Sequence, residues 1–281
     1  MKKTYIIAEI GINHNGDLGV AKKLTDIASA AGCDAVKFQK RNPDVCVPEH
    51  QKNVMKDTPW GSMTYLEYKH KTEFGKQEYD EIDRYCKERK IKWSASPWDL
   101  GSLDFILNYD VPFIKVPSAM LTNKPLLEAC ALSGKKVILS TGMSTEDEIS
   151  EAVSLLDGKI KVKSKSSYAI LHCNSTYPAP LESLNLSCIR TLKDKYNCEV
   201  GYSGHEFRIG TSVAAVYLGA SIIERHITLD RTTWGSDHLS SVEPQGLFKL
   251  VSGIRELEKA YGDGYIAITD PEKLIREKLR G

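Results

Sequence analysis

Several things are missing from this chain of 281 residues, and each absence closes a route. There is no apolar run long enough to span a bilayer, so nothing reads as a membrane helix. No excess of charge exists: 38 Lys plus Arg stand against 37 Asp plus Glu, a net charge of +1. Composition therefore calls for neither nucleic acid nor an anionic membrane surface as a partner. The cysteines, Cys33, Cys46, Cys86, Cys130, Cys173, Cys188 and Cys198, are odd in number and never spaced Cys-x-x-Cys. Reduced thiols in a cytoplasmic protein fit that pattern better than a disulfide framework or a zinc knuckle. A Gly-x-Gly-x-x-Gly turn is also lacking, which ranks an open, doubly wound sheet second. The start, Met1-Lys2-Lys3-Thr4, has no signal-peptide pattern, in line with a cytoplasmic location.

What is there is an alternation of strand and helix signals. Short apolar runs rich in β-branched residues predict strands over 5–10, 34–39, 92–97, 113–117, 137–141 and 168–173. Two more end at Ser203-Gly204-His205 and Glu224-Arg225-His226. Between them, apolar residues at helical spacing predict helices over 18–31, 77–90, 100–107, 124–132, 186–196, 209–218 and 244–261. Another is opened by Ser144 as N-cap, with Asp147 in its third position. Eight βα units of roughly 32 residues predict an α/β fold, the (β/α)8 TIM barrel, over residues 1–262. Residues 40–73 read as a long irregular loop of functional or interface character. Residues 263–281 read as a polar tail in which Leu274, Ile275 and Leu279 allow a short helix.

In such a barrel the C-terminal strand ends share one mouth, where polar residues are candidates for chemistry. These ends carry Glu9, Lys37 with Gln39, Ser96, Lys115 with Ser118, and Ser140 with Thr141. They continue with His172 and Ser175, Ser203 and His205, and Glu224 and His226. Each has a plain structural explanation: Lys37 can snorkel, Ser96 or Ser140 can cap a helix, and the histidines can be satisfied core residues. Together they describe a binding mouth. Two lysines and several serines suit a phosphate and a carboxylate. Two imidazoles, His205 and His226, suit a divalent metal with open positions. Glu9 and Asp237 are candidates for general-base work or for holding sugar hydroxyls. The residues alone thus point to a metal-assisted enzyme acting on a small phosphorylated anion and a polar partner.

A set of motifs narrows this. They are Ile7-Ala8-Glu9-Ile10-Gly11-Ile12-Asn13-His14-Asn15-Gly16, Val36-Lys37-Phe38-Gln39, Ile114-Lys115-Val116-Pro117-Ser118 and Leu139-Ser140-Thr141-Gly142-Met143. Further on come Leu171-His172-Cys173 with Tyr177-Pro178, Gly201-Tyr202-Ser203-Gly204-His205, Glu224-Arg225-His226 and Gly235-Ser236-Asp237-His238. In this order they resemble the N-acetylneuraminate (sialic acid) synthase family, whose barrel condenses phosphoenolpyruvate with an open-chain aldose. The resemblance implies that His205 and His226 hold manganese or magnesium. It implies that Lys37, Ser96, Lys115, Ser140, Ser175 and Ser203, with Ser118 in the same mouth, bind phosphoenolpyruvate, and that Glu9, Gln39, Tyr177 and Asp237 face the aldose. The metal would polarise the aldehyde, and Glu9 or the metal would assist addition of water at C2. The product would be a 3-deoxy-2-keto sugar acid of the sialic or nonulosonic type, made for cell-surface polysaccharide.

Three departures from the family pattern stand out. Met120 occupies a position that is commonly acidic and touches the sugar. Ser175, next to Asn174, stands where an Asn is usual. No segment resembles the family's C-terminal antifreeze-like domain, so the expected match is to the barrel, and a separate lid-supplying chain and a homo-oligomer are left open. Two other functions compete. One is an aldolase in which Lys115 or Lys37 forms a Schiff base with a keto acid. The other is a non-catalytic barrel that binds a phosphorylated ligand or an assembly partner.

Overall fold

The computed structural model describes residues 2–161 and 167–280. Its strands are β1 (Tyr5–Gly11), β2 (Ala35–Lys40), β3 (Met55–Thr58), β4 (Gly61–Thr64) and β5 (Lys92–Pro97), followed by β6 (Phe113–Val116), β7 (Lys136–Ser140), β8 (Tyr168–Cys173), β9 (Glu199–Gly204) and β10 (Ile222–His226). Eight of these form one parallel sheet in the order β5-β2-β1-β10-β9-β8-β7-β6, while β3 and β4 pair apart as an antiparallel hairpin. The two end strands of that order, β5 and β6, lie side by side. Across this last seam the Ser94 hydroxyl donates to the Phe113 carbonyl. The sheet is therefore a near-closed (β/α)8 barrel, as the repeat predicts.

Strand alternation divides the interior in two. Ile6, Ala8, Ile10, Val36 and Phe38 face the helices and join the main core with Leu24 and Ala28. Ile7, Ala35, Phe113, Ile138, Ala169, Leu171 and Ile222 point to the axis and plug it. Each buried Ile, Leu or Phe of this plug contributes about 1.5–3 kcal/mol. Gly201 makes room for the plug, since a Cβ there would lie 2.5 Å from Leu171 Cδ2 and from the Ile222 carbonyl.

The helices end where local chemistry ends them. In the helix Leu18–Ala31 the Asp17 carboxylate accepts from the Gly19 and Val20 amides, and Gly32, at φ 85°, stops it. The helix Glu146–Lys159 corrects the expected cap by one residue. Thr145, not Ser144, is its N-cap, because Glu148 reaches back to the cap amide and completes a capping box. Residues 40–73 are also more ordered than expected. They hold the helical turns Pro43–Cys46 and Glu49–Lys52, the hairpin, and the helix Tyr65–Thr72, which Thr64 and Glu67 cap reciprocally. At the far end of the chain, Asp270–Arg280 is a helix whose side chains, Leu274, Ile275 and Leu279 included, are all exposed.

Candidate active site

The alternation that plugs the axis also sets what stands two residues further along each strand. After Ile7, Ala35, Phe113, Ile138, Leu171, Gly201 and Ile222 come Glu9, Lys37, Lys115, Ser140, Cys173, Ser203 and Glu224. One more step brings Gln39, His205 and His226 to the mouth. A single cavity there is lined by Glu9, Lys37, Gln39, Ser96, Trp98, Lys115, Pro117, Ser118, Ala119, Met143, Cys173, Ser175, Tyr177, His205, Glu224 and His226. A second groove, beside Lys2, Lys193, Lys195, Tyr217 and Tyr261, opens at the opposite, N-terminal ends of the strands.

At the cavity floor four charges interlock. Lys37 Nζ lies 2.8 Å from Glu9 Oε2 and 3.7 Å from Glu224 Oε2, and donates to Ser96 Oγ at 2.8 Å. Lys115 Nζ stands 3.3 Å from Glu224 Oε1, which also accepts from Ser203 Oγ at 3.0 Å. None of the four charged residues is more than 5% exposed. Burial pushes the Glu9 carboxyl up to about 7, with Lys37 pulling the other way. Burial also opposes ionisation of Glu224, but Lys115 and Lys37 prevail and hold it down at about 2. Burial works against a charged Lys37 as well, and there Glu224 and Glu9 outweigh it and raise its pKa. Glu224 is thus the anionic hub, and Glu9 is a carboxyl poised to exchange a proton near neutrality.

Above this floor stand the imidazoles. The rings of His205 and His226 are 5.5 Å apart, centre to centre. His205 Nδ1 meets the Asn174 carbonyl at 2.5 Å, and the Tyr177 hydroxyl lies 2.9 Å from Nε2. Donation from Nδ1 to the carbonyl leaves the lone pair on Nε2, toward the cavity. His226 Nδ1 is buried without a hydrogen bond, 3.7 Å from Asp237 Oδ2. Burial drives the His226 pKa down to about 3, so this ring is neutral and has a free nitrogen. At His205 burial opposes the charged form, but Cys173 and the Asn174 carbonyl outweigh it and raise its pKa. Nδ1 of His226 and Nε2 of His205, which here meets the Tyr177 hydroxyl, are two donors that would leave positions open on a divalent ion. Among the described residues no cluster of three His, Cys, Asp or Glu donors is gathered.

Most residues expected at the mouth are brought together there, including Glu9, Lys37, Gln39, Ser96, Lys115, Ser118, Ser175, Tyr177, His205 and His226. Ser140, Ser203 and Asp237 are not on the cavity wall. Ser203 spends its hydroxyl on Glu224, and the buried Ser140 hydroxyl has no partner. Asp237 accepts from Ser236 and lies 3.7 Å from His226 Nδ1. His172 turns away, bonding the Leu184 carbonyl at 2.7 Å. Met120 packs against the main core. Sequence reasoning passed over Trp98 and Cys173 as wall residues and Glu224 as the hub. The i, i+2 spacing of Glu224 and His226 was the available signal for the hub.

A near-closed parallel barrel that delivers interlocked lysines, carboxylates and imidazoles to its C-terminal mouth is an enzyme of the (β/α)8 class. The profile of the NeuB family matches residues 24–265. The chain is 42% identical to the N,N'-diacetyllegionaminic acid synthase of Campylobacter jejuni, over 99% of this chain and 85% of that one. It is 38% identical to the human N-acetylneuraminate-9-phosphate synthase, over 98% of this chain and 76% of that one. Among solved structures it is similar to N-acetylneuraminic acid synthetase of Leptospira borgpetersenii in complex with citrate. That match has a TM-score of 0.85 at 36% identity and covers 99% of this chain and 93% of the other. The chain belongs to the NeuB family, the family that its motifs resemble.

Proposed function

We propose that the protein condenses phosphoenolpyruvate with an open-chain aldose, of the N-acetylmannosamine type or related to it. The products are a 3-deoxy-2-keto sugar acid and phosphate. The observation that carries this reading is the Lys37–Glu224–Lys115 array under a cavity lined by Ser96, Ser118 and Ser175. Two ammonium groups share one firmly ionised carboxylate there, which suits them to a ligand with more than one negative charge. The names of the relatives, sialic and legionaminic acid synthases, support the same reaction class.

In the condensation, C3 of the enol ester attacks the aldehyde carbon and a C–C bond forms. The aldehyde oxygen takes up a proton and becomes a hydroxyl. Water adds to the electron-poor C2, the C2–O bond to phosphate breaks, and the C2 ketone remains. Lys37 and Lys115 neutralise the carboxylate and phosphate of phosphoenolpyruvate as charge redistributes. Glu9, beside Lys37 and titrating near 7, takes the proton of the water that adds. His205 and His226 hold manganese or magnesium, which when bound supplies Lewis-acid polarisation of the aldehyde oxygen. Tyr177, 2.9 Å from His205 Nε2, faces the aldose beside that ring.

A Schiff-base aldolase needs a neutral lysine amine. Glu224 and Glu9 hold Lys37 protonated, against its burial, which disfavours that role. Among the described residues no helix is long and apolar enough to cross a membrane, and the proposed location is the cytoplasm. The test is incubation with phosphoenolpyruvate, manganese and a panel of aldoses, recording phosphate release and product mass. Phosphate release that requires an aldose, with a product heavier than the aldose by the pyruvate unit, is expected. Pyruvate-dependent trapping by borohydride with no phosphate chemistry would overturn it.

A further inference from the structure

The helix Tyr65–Thr72 carries a buried lysine, Lys69, whose ammonium lies against aromatic rings. Lys69 is 8% exposed, and among the described residues its ammonium has no hydrogen-bond or ion-pair partner. It rests 5.0 Å from the ring centres of both Tyr65 and Tyr68. Burial first, and then the charge of Arg41, pull its pKa down to about 8. Arg41 is equally buried. Its guanidinium stacks 4.3 Å over Trp98 and donates to Gln39, while its Nε has no hydrogen bond. Since Trp98 and Gln39 line the cavity, Arg41 backs its wall.

The other side of Lys69 leads to the same place. Tyr68 meets Trp234 edge-on at 5.0 Å, and Trp234 precedes by three residues the Asp237 that approaches His226. The nearby acids are already engaged. Glu73 is held by Lys40 at 2.8 Å and by the Arg41 amide at 3.1 Å, and lies 3.9 Å from Arg41 Nε. Asp237 accepts from Ser236 and faces His226. Lys56 adds a further cation over the Tyr65 ring, at 5.6 Å. Two like charges buried near one another, as Lys69 and Arg41 are, disfavour each other, and an anion bound beside them would relieve both.

We propose that Lys69 and Arg41 form a second anion subsite, separate from Lys37 and Lys115, for a phosphate or carboxylate at the end of the aldose far from its aldehyde. This rests on the synthase reading and narrows its substrate to acidic aldoses. The assignment to the aldose follows from position. The charges of phosphoenolpyruvate fall to the lysines on the cavity floor, whereas Arg41 backs Gln39 and Trp98 on the cavity wall and Lys69 acts on Asp237 beyond it. Tyr65, Tyr68, Trp60 and Trp234 contact one another beside Lys69, an aromatic cluster of the kind against which a sugar chain packs.

The experiment compares N-acetylmannosamine, its 6-phosphate and its C6 uronic acid as substrates of wild type, Lys69→Met and Lys69→Arg, with phosphoenolpyruvate and manganese. One of the acidic aldoses is expected to show a KM about tenfold or more below that of the neutral parent. Which acidic aldose it is distinguishes phosphate from carboxylate. Lys69→Met should raise that KM by about tenfold or more, keep the KM for phosphoenolpyruvate within about twofold, and be rescued by Lys69→Arg. Equal KM values for acidic and neutral aldoses in wild type, or an equal rise for both in Lys69→Met, overturn the subsite. Calorimetric titration of the 6-phosphate and the uronic acid into wild type and Lys69→Met reads the subsite without turnover. Weaker binding of either acid to the variant supports it, and unchanged binding of both overturns it. Failure of every aldose to release phosphate would sink the synthase reading and leave this titration standing.

Discussion

Glu224 Oε1 lies 3.3 Å from the ammonium of Lys115, both residues being shut away from water. The other oxygen of this carboxylate, 3.7 Å from Lys37, carries no hydrogen bond. Glu224 therefore bridges both lysines, while Glu9 pairs with Lys37. Glu224→Gln keeps the shape and deletes that charge, leaving the lysines with Glu9 alone. Removing one partner of a buried ion pair costs about 3–5 kcal/mol, and a loss of stability of that order is expected. Inorganic phosphate should restore more stability to the variant than to wild type, because the added anion replaces the deleted charge. Urea unfolding with and without phosphate measures both quantities. Equal phosphate stabilisation in the two proteins would mean that the anion does not bind against these lysines.

Glu9 sets a pH dependence of the opposite kind from an ordinary ion-paired acid. Burial lifts its pKa from 4.5 to about 7, so the folded state prefers the protonated form. The stability it contributes is whole below about 4.5 and is lost as the pH rises through 7. In Glu9→Gln this dependence disappears. The stability of the variant relative to wild type should therefore grow by about 3 kcal/mol between pH 4.5 and 8. Denaturant midpoints across that range provide the check. A difference that stays flat with pH would show that Glu9 is ionised throughout.

The barrel and much of its mouth were legible because a parallel strand carries one message along its length. Ile7 and Ile222 fill the axis, and Glu9 and Glu224 follow two residues later on the same side. Arg225, of opposite parity, turns outward to the buried Glu206, 2.9 Å away. What could not be read is whatever depends on partners from distant strands. The hub role of Glu224 needs Lys37 from β2, Lys115 from β6 and Ser203 from β9 to arrive together. Residues 40–73 gave no periodic signal, since β3 and β4 are mostly exposed and neither alternates. Their helix is fixed by the Thr64–Glu67 box and by aromatic contacts such as Tyr68 on Trp234, which only the fold creates. The misplaced cap has a local cause: Ser144 and Thr145 each have an acid three residues on, but Glu148 has the reach that Asp147 lacks.

The metal proposal is tested by removal from both sides. His226 Nδ1 has no hydrogen-bond partner, and His205 presents Nε2 toward Tyr177. Either His205→Ala or His226→Ala is expected to lower kcat/KM by at least about a thousandfold, the scale of losing a principal electrophilic group. EDTA should abolish wild-type turnover, and added manganese should restore it. Activity that persists in full after chelation would take the imidazoles out of this role.

Gly142 allows substrate binding to be tested apart from packing. A Cβ at this position would lie 2.8 Å from Ser118 Oγ and closer still to Ser175 Oγ, both on the cavity wall. Ser118 also accepts the Gly142 amide proton at 3.0 Å, so the backbone and the two hydroxyls form one cradle. Gly142→Ala should displace those hydroxyls and raise the KM for phosphoenolpyruvate by about tenfold or more, the worth of one or two hydrogen bonds. At saturating phosphoenolpyruvate kcat should fall less, and stability should drop by no more than about 1–3 kcal/mol. Gly201→Ala is the contrasting control. Its Cβ would meet the Ile222 backbone and Leu171 within 2.5 Å in the axis plug, so its effect should fall mainly on stability. If Gly142→Ala instead unfolds the protein while the KM of the folded fraction stays at the wild-type value, the two serines do not hold phosphoenolpyruvate.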